Sequence, residues 1–295
     1  MLKSIIKKVV SVEQSEGVGA RVRRSIGTSE LRNLDPFLML DEFKLAKKGE
    51  GEAPAGFPDH PHRGFETVTY MLEGVFDHED FAGHRGTIYP GDVQWMTAGK
   101  GIVHAEIPHT LPCLGLQLWL NLPAKDKMMD PRYQELKSEA IPVAEKDGVK
   151  VKVIAGNSLG INAKIDTKSP IYYLDVNMEA NKTFVQTVPA NWTTFIYTLS
   201  GTGKFGKERV ESEAHATLVF SRDGDQVQVE SGDEPLRFAL IAGEPIGEPI
   251  VQYGPFVMNT REQIMEAMED YQLGKNGFER AGKWRSKIAH QFRQV

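Results

Sequence analysis

Four residues of this chain have the types and spacing to hold a metal: His60, His62, His104 and Glu106. They sit in FPDHPHRGFETVTYMLEG at 57–74 and GDVQWMTAGKGIVHAE at 91–106. Residues i and i+2 of a β-strand face the same side. His-x-His therefore aims two imidazoles one way, and His-x-Glu aims an imidazole and a carboxylate one way. Two such strands side by side bring four ligands together. Three neutral nitrogens and a carboxylate suit Fe(II) and other divalent transition metals, whereas Ca2+ and Mg2+ want oxygen. The same donors would bind Mn, Co, Ni, Cu or Zn, so they do not choose the metal. A single histidine is most often an ordinary core or surface residue. Two pairs about forty residues apart, each strand-like and beside Gly-rich turns, are a far more specific signal.

The surrounding chain predicts the elements that must position them. Alternating strands are broken by Gly-Asp, Pro-Gly and Ala-Gly turns, which reads as all-β. The chain also repeats itself weakly. Tyr70-Met-Leu-Glu-Gly74 recurs as Tyr197-Thr-Leu-Ser-Gly201, and the Gly91-Asp92 turn recurs as Gly224-Asp225, at offsets of 127 and 133 residues. A period of this size means two similar β domains rather than a solenoid. The expected layout is a metal-binding barrel over 1–125, a linker over 126–142, and a second barrel over 143–295 ending in a helical, basic tail. MLKSIIKKVV is expected as the first strand, and LPAKDKMMDPRYQELKSEAIP at 122–142 as a polar, helix-like connector. Carried across by the offsets, the ligand positions fall on Thr187, Pro189, Arg237 and Ala239, which cannot rebuild the site. Near the end, Thr260 and Gln263 fit a capping box, and Ile264, Met268 and Tyr271 follow at helical spacing.

Composition bounds the function. The chain has 295 residues, 40% hydrophobic and 25% charged, an ordinary globular balance. One cysteine, Cys113, excludes an internal disulfide framework and fits a reducing compartment. No apolar run is long enough to span a bilayer, and the first residues lack a signal-peptide core. A net charge of −5 argues against a general polyanion binder. The charge is uneven: residues 1–24 carry six Lys or Arg against two Glu, and 275–295 carry six against one. Phe278, Trp284 and Phe292 interleave with the basic tail, which reads as a solvated helix end with three core anchors rather than a nucleic-acid surface.

The motifs together resemble a known family. His-x-His, a Glu four residues on, a Gly, and a second His after a Pro-Gly turn is similar to the two-part cupin signature. NLDPFLMLDEF at 33–43, HEDFAGHRG at 78–86, LQLWLNL at 116–122, GEPIGEPIVQYGPFVMNT at 243–260 and KNGFERA at 275–281 resemble the pirin family. The resemblance runs over nearly the whole chain. It implies two tandem cupin barrels, double-stranded β-helices of the jelly-roll kind, with a short linker and a C-terminal helix. It implies one iron per chain, Fe(II) or Fe(III), held in the N-terminal barrel by His60, His62, His104 and Glu106. In cupins generally the first-motif glutamate, here Glu66, is often a ligand. Glu66 shares strand parity with His60 and His62, and it is expected beside the metal without ligating it, a ligand role being the alternative. KLAKKGEGEAPAG at 44–56 reads as a surface loop beside the site.

The resemblance implies two different activities. One is redox-sensitive co-regulation, in nucleus and cytoplasm, of a transcription factor or other regulatory protein, by a monomer that contacts neither a membrane nor a specific DNA sequence. Arg63, directly after His-x-His, together with Arg23 and Arg32 and their neighbours Arg21 and Arg24, is the expected partner surface. The other activity is metal-dependent cleavage of a flavonol such as quercetin. Glu106 or Glu66 would then serve as the catalytic base, and Phe57, Phe65, Phe76, Trp95 and Met96 are candidates for an apolar slot. His78, His84 and His109 are left without a role.

Overall fold

The computed structural model describes residues 1–17, 19–46 and 56–292, excluding the side chains of 290–292. Most of the loop expected over 44–56, and the Phe292 side chain, lie outside the described residues. The chain forms two compact units. One comprises residues 13–24, 37–138 and 246–295, and the other 1–12, 25–36 and 139–245. The consecutive division at 125 and 142 is thus replaced by an exchanged one. The first strand, Ile5–Val10, pairs with Ala216–Phe220 and so covers what would be a bare edge of the second barrel. Residues 246–292 fold with the histidine-bearing barrel.

That barrel consists of two antiparallel sheets. The larger runs Arg132–Leu136, Val93–Thr97, Phe65–Glu73, Cys113–Asn121, Phe37–Leu45, Ala20–Ile26, Glu13–Glu16. The smaller runs Phe57–His62, Ile102–Pro108, Phe76–Asp80, Arg85–Ile88. Apolar side chains of both, among them Val22, Phe43 and Met71 from the one and Phe76 and Ile88 from the other, share a core. The predicted helix-like linker is instead a strand, Arg132–Leu136, paired with Val93–Thr97 between two short 3-10 turns. Pro131 would deny a helix one of its N–H donors, while the sheet edge offers the backbone a full ladder. Asp92 fixes the far end, accepting from Ser138 N at 2.7 Å and Lys137 Nζ at 3.0 Å.

The second unit repeats the plan with a seven-stranded and a four-stranded sheet. Gly74 and Gly201, the repeated glycines, have φ of 78° and 79°. A side chain at either would meet a carbonyl oxygen, Pro112 O at 2.4 Å or Pro235 O at 2.2 Å, so only glycine fits. Strand pairing corrects the counterparts of the ligands, however. Glu106 faces His78 across one pair of strands. One repeat on, Phe205 faces Val229. His104 and Glu106 thus correspond to Val227 and Val229, and Arg237 and Ala239 belong to the following strand, Leu236–Gly243. Likewise His60 faces His104 as Gln186 faces Val227, which replaces Thr187 and Pro189 by Gln186 and Val188. Val188, Val227 and Val229 are packed in an apolar core with Phe184 and Phe205.

The C-terminal helix, Arg261–Leu273, has the capping box expected of Thr260 and Gln263 and ends on Gly274 in the left-handed region. Ile264 is buried among Met96, Ala98, Ile102 and Phe278, with Met268 and Tyr271 packed on the same cluster. Among the described residues no helix is long and apolar enough to cross a membrane.

Candidate metal centre

His60 and His62 lie on Phe57–His62, the edge strand of the smaller sheet, which tolerates Pro58 and Pro61 because one side of its ladder is free. His104 and Glu106 lie on Ile102–Pro108. The two strands pair with His104 opposite His60 and Ile102 opposite His62. The turn after His62 is tightly bound. Gly64 has φ of 88°, and a side chain there would meet Val257 O at 2.0 Å.

Three imidazoles converge. Their donor atoms lie within 4.8 Å of one another, and His60 Nε2 is 2.9 Å from His104 Nε2. Burial holds His62 and His104 well below the ordinary imidazole range and lowers His60 too. All three are therefore neutral near pH 7, the form that ligates metals. His60 Nδ1 donates to Pro58 O at 2.8 Å, so Nε2 presents its lone pair to the centre. His62 Nδ1 and His104 Nδ1 are buried without hydrogen-bond partners. The group fits a transition-metal cation, which would replace the close nitrogen–nitrogen contact. Aromatic rings wall it: Phe65 and Trp119 meet the His62 ring edge-on, centroids 5.2 and 5.4 Å away.

The two carboxylates stand outside this group of three. Glu106 accepts from Thr69 Oγ1 at 3.2 Å and Gln117 Nε2 at 3.1 Å. Glu66 is fully buried and accepts from Thr97 Oγ1 at 2.6 Å. It lies on Phe65–Glu73, in the larger sheet, so the shared parity with His60 and His62 does not apply: the turn at Arg63 and Gly64 breaks the strand. Thr69, Gln117 and Trp119 were not foreseen. The alternation of LQLWLNL, which puts Gln117 and Trp119 on one face, is the signal that would have found them.

The other expected residues are placed differently. Phe57 and Phe76 pack on Phe43, Met96 packs under the C-terminal helix, and Trp95 is buried. Arg63 is not a surface residue: 1% exposed, it is paired with Asp270 at 2.8 Å and donates to Lys100 O and Asn276 O. Arg23 lies 3.9 Å from Glu13, which also binds Arg21, and Arg24 is paired with Glu16 and Asp41. Arg32 is exposed in the other unit. Arg63 therefore belongs to no surface patch.

Burial pushes the Glu106 carboxyl up to about 7 from the usual 4.5. In the metal-free protein it keeps its proton between those values while the unfolded chain loses it. Stability is therefore greatest below pH 4.5 and falls as pH rises through 7, by about 3 kcal/mol. Glu106→Gln removes that loss but forfeits an acceptor, for about 1 kcal/mol. Metal-free Glu106→Gln should be more stable than metal-free parent by about 1–3 kcal/mol at pH 8, and the gap should close towards pH 5. Urea unfolding of chelator-treated protein at both pH values measures it; equal stabilities at pH 8 would refute it.

Two family models match the chain: Pirin, over residues 19–120, and the Pirin C-terminal cupin domain, over 173–277. The chain is 56% identical to Pirin from Homo sapiens over 294 residues, 98% of this chain and 99% of that protein. It is 56% identical to a Pirin-like protein from Solanum lycopersicum over 286 residues, 96% of each. Among solved structures it resembles a quercetin 2,3-dioxygenase from Acinetobacter baumannii. The TM-score is 0.86 and the identity 34%, over 94% of this chain and 99% of that one.

Proposed function

The chain belongs to the pirin family, and we propose that its three-histidine centre binds iron and uses it, with O2, to cleave a flavonol of the quercetin type. The observation that carries this reading is the convergence of three neutral imidazoles, two of them buried, inside one cupin barrel. Likeness to the Acinetobacter baumannii dioxygenase along 94% of the chain supports the substrate class.

A bound iron would supply the redox and Lewis-acid chemistry of non-haem oxygenases. The rest falls to this chain's residues. His60 is the half-buried member of the three and marks the side from which substrate approaches. Phe65 and Trp119 hold His62 in place and keep water from that flank. Glu106 takes the flavonol hydroxyl proton on a carboxylate oxygen. Thr69 and Gln117 keep it oriented. Glu66, bound to Thr97 in the larger sheet, is not assigned that role.

Redox-sensitive contact with a protein partner, the other expectation, loses the residue meant to anchor it, because Arg63 is internal.

Oxygen uptake by iron-loaded protein with quercetin tests the reading. Turnover is expected in the parent, with at least a hundredfold loss in Glu106→Gln assayed at equal iron content, the upper range for a positioned acid–base group. Iron-replete protein that consumes no oxygen above the flavonol's own oxidation would end the enzyme reading.

A further inference from the structure

A second set of metal donors lies in the same unit. His78 comes from strand Phe76–Asp80, His84 from the turn after it, and Glu135 from strand Arg132–Leu136. One donor atom of each lies within 4.8 Å of the others. His78 Nε2 is 2.9 Å and His84 Nε2 3.0 Å from the same carboxylate oxygen, Glu135 Oε1. Only the His84 contact has hydrogen-bond geometry. His78 is 1% exposed, and neither of its ring nitrogens makes a hydrogen bond. A buried imidazole in that state has a ring nitrogen free to act as a donor to a ligand.

The surroundings suit an ion. Tyr133 stacks on His84 at 4.1 Å and lies parallel to His78 at 6.0 Å, which orients both rings. Gly86 leaves the space: a side chain there would meet His78 Nε2 at 2.5 Å and Glu135 Oε1 at 3.0 Å. A cavity of about 500 Å3, lined in part by Asp80, Gly83, His84, Arg132 and Tyr133, opens beside the cluster. His84 is 38% exposed, so an ion has a way in.

We propose that His78, His84 and Glu135 form a second, exchangeable site for a borderline divalent cation such as Zn2+. Two imidazoles and one carboxylate with a fourth position open to water is a donor set Zn2+ takes readily. Tetrahedral bonds of 2.0–2.1 Å set ligand atoms roughly 3.3 Å apart, so the present contacts need open by only a few tenths of an ångström. The two half-exposed members, His84 and Glu135, can move that far. The single iron expected per chain concerns the three-histidine centre, and this second set is its neighbour, His78 facing Glu106 across one pair of strands.

The test is equilibrium dialysis of chelator-stripped full-length protein against Zn2+, read by elemental analysis. Two equivalents are expected in the parent and one in both His84→Ala and Glu135→Gln, whose exposed positions spare the fold, as circular dichroism would check. His104→Ala should lose the other equivalent, and His84→Ala/His104→Ala both. Glu135→Gln keeps the shape and removes only the charge, so it separates a three-donor site from casual binding to His84. A Zn2+ stoichiometry that His84→Ala and Glu135→Gln leave unchanged overturns the proposal.

Discussion

Asp270→Ala is expected to destabilise the histidine-bearing unit by about 3–5 kcal/mol. Arg63 and Asp270 are each 1% exposed, and Arg63 Nη1 donates to Asp270 Oδ2 at 2.8 Å. The guanidinium also donates to Lys100 O and Asn276 O and lies 4.8 Å over the Phe278 ring. Asn276 Nδ2 donates to the other carboxylate oxygen. Removing the carboxylate leaves a buried cation with only neutral acceptors, which is the costly way to break such a pair. The effect should reach the metal. Arg63 follows His62, and its backbone bonds to Pro255 O and Val257 N. A loosened turn therefore lowers metal affinity together with stability. Arg63→Met/Asp270→Leu should recover most of the loss, since an apolar pair of similar volume needs no desolvated charge. Denaturant unfolding of the single and double variants decides. A single variant within about 1 kcal/mol of the parent would mean that the pair carries little net energy, as exposed pairs do.

That ion pair also marks where sequence reading stopped. His60, His62 and His104 could be read because strand parity is local: a period of two fixes which side chains share a face. The helix at Arg261–Leu273 could be read for the same reason, through its cap and its period. Ownership of that helix could not. Nothing near Asp270 says that its partner is Arg63, far away in the chain, and a charge beside a metal motif reads as surface until the helix covers it. The repeat was legible in its turns, where Gly74 and Gly201 meet the same steric demand. It misled on the ligand positions because the second match joins non-equivalent turns: Gly91-Asp92 leads into Val93–Thr97 of a seven-stranded sheet, whereas Gly224-Asp225 leads into Gln226–Ser231 of a four-stranded one, which moved the counterparts of His104 and Glu106 onto the wrong strand. The parity argument for Glu66 failed similarly: parity holds within one strand, and the turn at Gly64 ends it. The strand Arg132–Leu136 looked helical because an edge strand needs few apolar residues; it is specified by the edge it joins, Val93–Thr97.

His104→Ala should lower metal affinity by about 10²–10³-fold. Structural zinc sites of four ligands are worth about 10–16 kcal/mol, or about 3–4 kcal/mol per ligand, and each 1.4 kcal/mol is a factor of ten. His104 pairs with the edge strand that carries His60 and His62, so its loss leaves two donors on a single strand. Competition with a chelator, at the pH where the parent retains its metal, measures the change. The carboxylate variants order the ligand set. Glu106→Gln should weaken binding less than His104→Ala, because Glu106 is already held by Thr69 and Gln117 and must turn to ligate. Glu66→Gln should change affinity by no more than the 10–100-fold of a residue that acts through ligand orientation. If Glu66→Gln strips the metal and Glu106→Gln retains it, the carboxylate ligand has been assigned to the wrong sheet. If His104→Ala binds as tightly as the parent, the three imidazoles are a packed histidine cluster, and the low proton affinity that burial gives them serves only to keep unpaired charge out of the barrel.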